Sequence, residues 1–226
     1  MSQSSFIRNF SIVAHIDHGK TTLIDRFLEI TDTVDKRLMH KRFLDSHPIS
    51  QERGVTIKLA PVRMKYKLPE DQQKILNSKF LILNLIDTPG HIDFSYEVSR
   101  SLACCEGVIL LVDATQGIQA QTLAHFHLAK KNRLKIIPVI NKIDLANARP
   151  EKVADDLVAS LGFNKEEIIF VSAKTGENVF QVLEAVAKRI PPPKDNSHQP
   201  LRALVFNSFY HFYKGLHKAV LKQYSL

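Results

Sequence analysis

Nowhere in its 226 residues does this sequence hold an unbroken apolar run of about 18 residues, so no segment reads as a membrane-spanning helix. No charged-then-apolar leader precedes Ile7, and a mitochondrial type of presequence is missing as well, because MSQSSFIRNF leads almost at once into an apolar stretch. These absences argue for a soluble, unexported protein of the bacterial-type cytoplasm, touching the cytoplasmic face of the cell membrane weakly and peripherally at most. Cysteine is scarce. Cys104 and Cys105 are neighbours in SLACCEG, an arrangement unsuited to a disulfide framework, and no histidine or second pair stands at zinc spacing. Both are expected to be reduced and structural. Internal repeats and low-complexity tracts are also absent. Acidic residues fall short of basic ones, 23 against 31, for a net charge of +8. Half of that excess lies in residues 191–226, where Lys194, Arg202, Lys214, Lys218 and Lys222 face only Asp195. Such a balance suits a polyanionic partner without requiring one.

What is present begins with AHIDHGKTT, comprising Ala14, His15, Ile16, Asp17, His18, Gly19, Lys20, Thr21 and Thr22. It fits a phosphate-binding loop at its decisive end, Gly19-Lys20-Thr21, although Ala14 stands where the strict pattern opens with glycine. Such a loop leaves a buried strand and opens a helix, so that backbone N–H groups and the positive helix end converge on phosphate oxygens. The flanks agree: FSIVA is apolar and β-branched, and LIDRFLEI has helical apolar spacing. In this pattern Lys20 neutralises the β- and γ-phosphates and the Thr21 hydroxyl takes a position on Mg²⁺.

With 44% apolar residues the chain can bury one full core and the beginning of another. Residues 31–58 are polar, irregular and too long for an ordinary connection, which suggests a functional or a mobile segment. Near their end Thr56, in QERGVTIK, is either a metal and γ-phosphate ligand or a threonine that begins a strand. PVRMKYKL alternates and reads as an edge strand, joined by a hairpin loop (69–79) to FLILNLID, which is continuously apolar and reads as central. Helices are expected over 94–103, 119–133, 150–161 (with Gly162 as the stop) and 178–190, and buried strands over 107–114, 136–144 and 168–174. The alternation predicts an α/β fold of P-loop NTPase type, with a mostly parallel sheet flanked by helices. Pro191, Pro192 and Pro193 end the last helix. The expected division is a nucleotide-binding domain over 1–190, a stiff linker over 191–200, and the truncated start of a β-barrel-like domain over 201–226, whose first strand is Leu201 to Tyr210.

Two further motifs specify the chemistry. DTPGH places Asp87 at the carboxyl end of a buried strand, where doubly wound sheets hold ligand groups. There Asp87 would hold Mg²⁺ through water, Gly90 would offer its N–H to the γ-phosphate, and His91 would project toward the attacking water. In NKID, Asp144 can accept from both the ring N1–H and the 2-amino group of guanine, a pair of donors that adenine lacks, so the wrong base leaves buried polar groups unpaired. Asn141 and Lys142 would brace that loop. In SAK (Ser172, Ala173, Lys174) the Ala173 N–H would meet guanine O6.

With all five elements present in this order, the chain resembles the translational GTPases, and among them the elongation factor 4 branch, from about Ile7 to Tyr210. AHIDHGKTT, RGVT and DTPGHIDF mark the ribosomal members. LDS, SYEVSRSLACCEG, VDATQGIQAQT and KRIPPPK followed by LRALVFNS are similar to elongation factor 4 in particular, and the short span from Asp144 to Ser172 leaves no room for the subdomain that elongation factor G inserts there. The resemblance implies GTP as substrate, ribosome-stimulated hydrolysis to GDP, ribosomal RNA as partner, a role in back-translocation and fidelity, a monomer, and no stable DNA binding. It also implies that Asp17 holds a monovalent cation (K⁺ or Na⁺) and that Ile16 and Val55 gate the attacking water. Read from the residues alone, Asp17 is a loop-capping carboxylate, Ile16 a packing residue, and His15 and His18 structural loop histidines. The tail HFYKGLHKAVLKQYSL departs from the family's next strand. An early stop or shifted frame, leaving a nucleotide-binding remnant without translational output, is one expectation for it, and a basic tail directed at RNA is the other.

Overall fold

The computed structural model describes residues 3–34, 60–70, 73, 78–88, 95–195, 200–211 and 215–224. β1 (Ile7–Ala14) is buried almost throughout because it lies mid-sheet, paired in parallel with β3 (Phe80–Asp87) on one side and β4 (Gly107–Asp113) on the other. Beyond β4 follow β5 (Lys135–Asn141) and β6 (Ile169–Phe170), both parallel to their neighbours. At the opposite edge β2 (Ala60–Lys67) runs antiparallel to β3, so the order is β2-β3-β1-β4-β5-β6. Its alternation has the expected consequence. Met64, Tyr66 and Leu68 are buried while Arg63, Lys65 and Lys67 are exposed.

Alternate residues of the central strands serve two cores. Phe10, Ile12, Ile109 and Leu111 pack with α1 (Lys20–Ile30) and α5 (Val179–Arg189) on one face. Val13, Val108, Leu110 and Val112 pack on the other with α2 (Ser95–Leu102), α3 (Ala120–Lys131) and α4 (Pro150–Leu161). The helix limits follow local chemistry. α4 starts with Pro150 in its first turn and stops at Gly162, whose left-handed φ of 73° closes the helix. α5 ends at Ile190, whose side chain lies over Gly107 so closely that a Cβ there would stand 2.5 Å from it. The thiols of Cys104 and Cys105 are free, buried and bonded to the carbonyls of Arg100 and Ser101, and burial pushes both upward, Cys104 to about 11. Among the described residues no helix is long and apolar enough to cross a membrane.

Two expectations are corrected. The strand expected over 168–174 has only two ladder residues, because Ser172 leaves the sheet to bridge Glu177 and the chain turns there toward the ligand end of the fold. The tail that departs from the family's next strand, where no second strand was expected, forms β8 (Gly215–Tyr224), which pairs antiparallel with β7 (Leu201–His211) through a bulge between Val205 and Asn207. Among the described residues the second sheet therefore has two strands, not one. The partner that β7 needed lies within the chain. Lys218 and Lys222 are no bar to this, since strand pairing satisfies backbone groups whichever side chains they carry.

Candidate functional site

The carboxyl ends of β1, β3, β4 and β5 share one edge of the sheet, and the loops that leave them converge. After β1 the chain curls through Asp17 and Gly19, both left-handed (φ 62° and 93°), and Gly19 caps α1. A Cβ at Gly19 would come within 2.3 Å of Asn141 Nδ2, so only glycine lets the loop pass here. Lys20, the first residue of α1, is buried, and its ammonium meets the Asp87 carboxylate and the Thr88 carbonyl. Thr88 is itself tied to β1, its hydroxyl donating to the Ile12 carbonyl at 2.8 Å.

Asn141, at the end of β5, joins two loops. Its Nδ2 donates to the His18 carbonyl at 2.9 Å, and its Oδ1 accepts the Ala173 N–H at 2.9 Å. In this structure, then, the N–H expected at guanine O6 is engaged by Asn141. Lys142 leaves the strand with a φ of 66°, and its ammonium lies 2.7 Å from Asp113 at the end of β4. Asp113 is fully buried and also accepts from the Thr115 N–H and hydroxyl. Burial pushes its carboxyl up, but the bonds from Lys142 and Thr115 outweigh this and hold it below the usual carboxylate range. Asp144 is exposed, and one of its oxygens accepts the Ser172 hydroxyl at 2.7 Å. Lys174 and Thr22 are exposed and Thr21 half-buried.

His18 lies wholly buried beneath the loop, its Nδ1 3.3 Å from the Asp113 N–H and 3.4 Å from the Leu111 carbonyl. Burial drives its imidazole down to about 4, so it is neutral at pH 7. His15 and His18 meet edge to face at 5.1 Å. Ile16 is half-buried and Asp17 exposed. Val55, Thr56, Gly90 and His91 lie outside the described residues.

Sequence reasoning overlooked three supporting residues. Arg26 of α1 holds the SAK loop, donating from Nε to the Ala173 carbonyl (3.0 Å) and from Nη2 to the Lys174 carbonyl (2.7 Å). Asp113 anchors Lys142, and Thr88 anchors the loop opposite Lys20. No spacing rule points to Arg26. Asp113, at the carboxyl end of a buried strand, did carry the positional signal that singled out Asp87.

Residues 5–192 match the family described as the elongation factor Tu GTP binding domain. The chain is 55% identical over 212 residues to an elongation factor 4 of Synechocystis sp., covering 94% of this chain and 34% of that protein. Among solved structures, a bacterial selenocysteine-specific elongation factor aligns with a TM-score of 0.68 at 30% identity, over 92% of this chain and 33% of its own. A Thermus thermophilus crystal structure shares the fold at a TM-score of 0.79 and 16% identity, over 96% of this chain and 45% of its own. The chain thus spans about a third of the length of the curated relatives it matches.

Proposed function

Because the chain belongs to the elongation factor Tu GTP binding domain family, we propose that it binds GTP and hydrolyses it to GDP and phosphate as a ribosome-associated translation factor of the elongation factor 4 kind, acting in back-translocation or fidelity. The observation that carries this reading is Asn141, which ties the phosphate loop at His18 to the base loop at Ala173 and so sets the two halves of a nucleotide site in register. The reading places phosphate contacts along Ala14 to Thr22 and at Gly90, and base contacts at Asn141, Lys142, Asp144 and Ser172 to Lys174. Residues 1–190 form the nucleotide-binding domain, 191–200 the linker and 201–226 the start of a β domain. The protein works as a cytoplasmic monomer without stable DNA binding.

Mg²⁺ fits the donors at hand, since it needs only one or two protein oxygens and takes the rest of its shell from phosphates and water. Thr21 and Asp87 would hold it, with Thr56 as a further ligand, and when bound it supplies charge neutralisation at the β- and γ-phosphates. A monovalent cation at Asp17 would add to that. Lys20 contributes a buried ammonium that is already positioned by Asp87 and Thr88. His91 orients the water for in-line attack, once ribosomal RNA draws it into place. Catalysis of this kind rests on positioning and charge.

The test is GTP hydrolysis with and without ribosomes. Turnover should be slow alone and rise by orders of magnitude on ribosomes. His91→Ala should abolish most of the rise while GTP affinity stays nearly constant, as for a contact made only in the activated state. Equal affinity for ATP and GTP would overturn the assignment of the base loop.

A further inference from the structure

On the side of the main sheet covered by α2, α3 and α4, the core that these helices share includes no residue of β2 or β3. Beyond β1 this face presents Ile86, Asn84, Ile82 and Phe80 of β3, in register with Pro61, Arg63, Lys65 and Lys67 of β2. Directly opposed residues of an antiparallel pair share a face. Its inner part is closed. Ile86 is buried, and Asn84 donates at 2.8 Å to Asn9, which in turn donates to Glu106 at 3.0 Å. Its outer part is open, with Arg63, Lys65 and Lys67 exposed and Phe80, paired with Lys67 and next in sequence to the exposed Lys79, 46% exposed. No acidic residue occupies any of these positions, and Arg63, Lys65 and Lys67 form no ion pair with a described residue.

Lysines on an edge strand discourage strand pairing, but that role does not call for an open phenyl ring beside them. Alternate strand residues stand about 7 Å apart, so the three cations form a straight row, with the ring at one end. A row of cations beside an exposed aromatic surface on a sheet is the arrangement by which proteins hold single strands, the backbone on the charges and a base on the ring. We propose that this open β2–β3 face binds single-stranded RNA, its phosphates along Arg63, Lys65 and Lys67 and an unstacked base on Phe80. The proposal rests on the reading of a ribonucleoprotein partner, yet it is tested apart from it.

The probe is a fluorescently labelled oligouridylate, titrated with the full chain over a range of salt concentrations, with an RNA duplex of equal length as comparison. The triple variant Arg63→Gln/Lys65→Gln/Lys67→Gln should bind the single strand at least tenfold more weakly. Its slope of log affinity against log salt should be shallower by about 2, as for the loss of three phosphate contacts. Phe80→Ala should weaken single-strand binding about fivefold or more and leave duplex binding unchanged. A control that removes the same charge from exposed lysines elsewhere, Lys131→Gln/Lys152→Gln/Lys194→Gln, should stay within twofold of the parent. GTP affinity should be unchanged in all of them, which separates a failure here from a failure of the nucleotide site and from misfolding. Equal losses in the two triple variants would mean that net charge alone binds RNA, and would overturn the proposal. So would single-strand binding indifferent to Phe80→Ala, or a platform variant that keeps its RNA affinity and self-associates instead, because the lysines would then only guard the edge.

Discussion

At the residue scale the site depends on contacts too close to permit substitution. Gly19 combines a left-handed backbone with a missing side chain whose place lies 2.3 Å from Asn141 Nδ2. Gly19→Ala should therefore displace Asn141 and loosen both loops it holds, lowering stability by about 1–3 kcal/mol and GTP affinity with it. Chemical denaturation and nucleotide titration check this. In a double-mutant cycle with Asn141→Ala the two losses should be less than additive, since the clash has one partner. Asp144 invites a sharper test. The Ser172 hydroxyl donates to it at 2.7 Å, so in Asp144→Asn the amide oxygen should turn to Ser172 and present the NH₂ group to the base. A donor would then face the guanine donors. GTP affinity should fall by a factor on the order of 10² or more, and xanthosine triphosphate, whose 2-oxo group accepts, should bind the variant better than GTP does. A variant that still preferred GTP would remove Asp144 from base recognition.

At the scale of elements, three titratable groups drawn from water lie in the loop after β1, on helix α3 and just before β4: His18 is buried, and His125 and Glu106 are half-buried. His18 under the loop and His125 on α3 are both lowered to about 4, chiefly by burial, and Lys20 and His15 add to the effect at His125. In the unfolded chain each would titrate near 6.5, so their contribution to stability is complete above that pH and is lost as pH falls toward 4. Glu106, just before β4, runs the other way. Burial raises it to about 7, so the folded state holds its proton, and the stability this provides is lost as pH rises from about 4.5 through 7. Glu106→Gln, which keeps an oxygen for the Asn9 amide, should raise stability above pH 7 and steepen the loss below pH 6. Denaturation midpoints across pH 4–8 measure both. Which elements the sequence revealed has a physical logic. β1, β3, β4 and β5 are marked by runs buried on both faces, and α4 by Pro150 and Gly162, all of which are local signals. β6 was overestimated because apolar content cannot show where a strand leaves its ladder to form the base loop. β8 was missed because a strand's partner is a non-local fact. In the site, spacing picked out Lys20, Asp87, Asn141, Asp144 and Ala173, and the described fold brings these to one edge of the sheet. Arg26 was not picked out, because it acts through carbonyls at Ala173 and Lys174 that only the folded chain brings near.

At the scale of the whole molecule, the question is where the nucleotide-binding unit ends. Ile190 is 1% exposed and lies over Gly107, locking the end of α5 onto the start of β4. The family match stops at residue 192, just inside Pro191–Pro193. Beyond lie β7 and β8, which pair with each other in a separate sheet and not with the main one. The first unit should therefore fold alone. A chain stopped after Pro193 should keep the melting temperature of the full chain to within a few degrees and bind GTP equally well. One stopped after Ala187 should melt lower, because it lacks Ile190 and leaves its pocket over Gly107 unfilled. Limited proteolysis gives an independent reading: the first cuts should fall between residues 191 and 200 and leave a fragment of about 190 residues that retains GTP. Should the early cuts fall within 60–190 while β7 and β8 stay protected, the hairpin would be part of the nucleotide-binding unit and the boundary at Ile190 would be wrong.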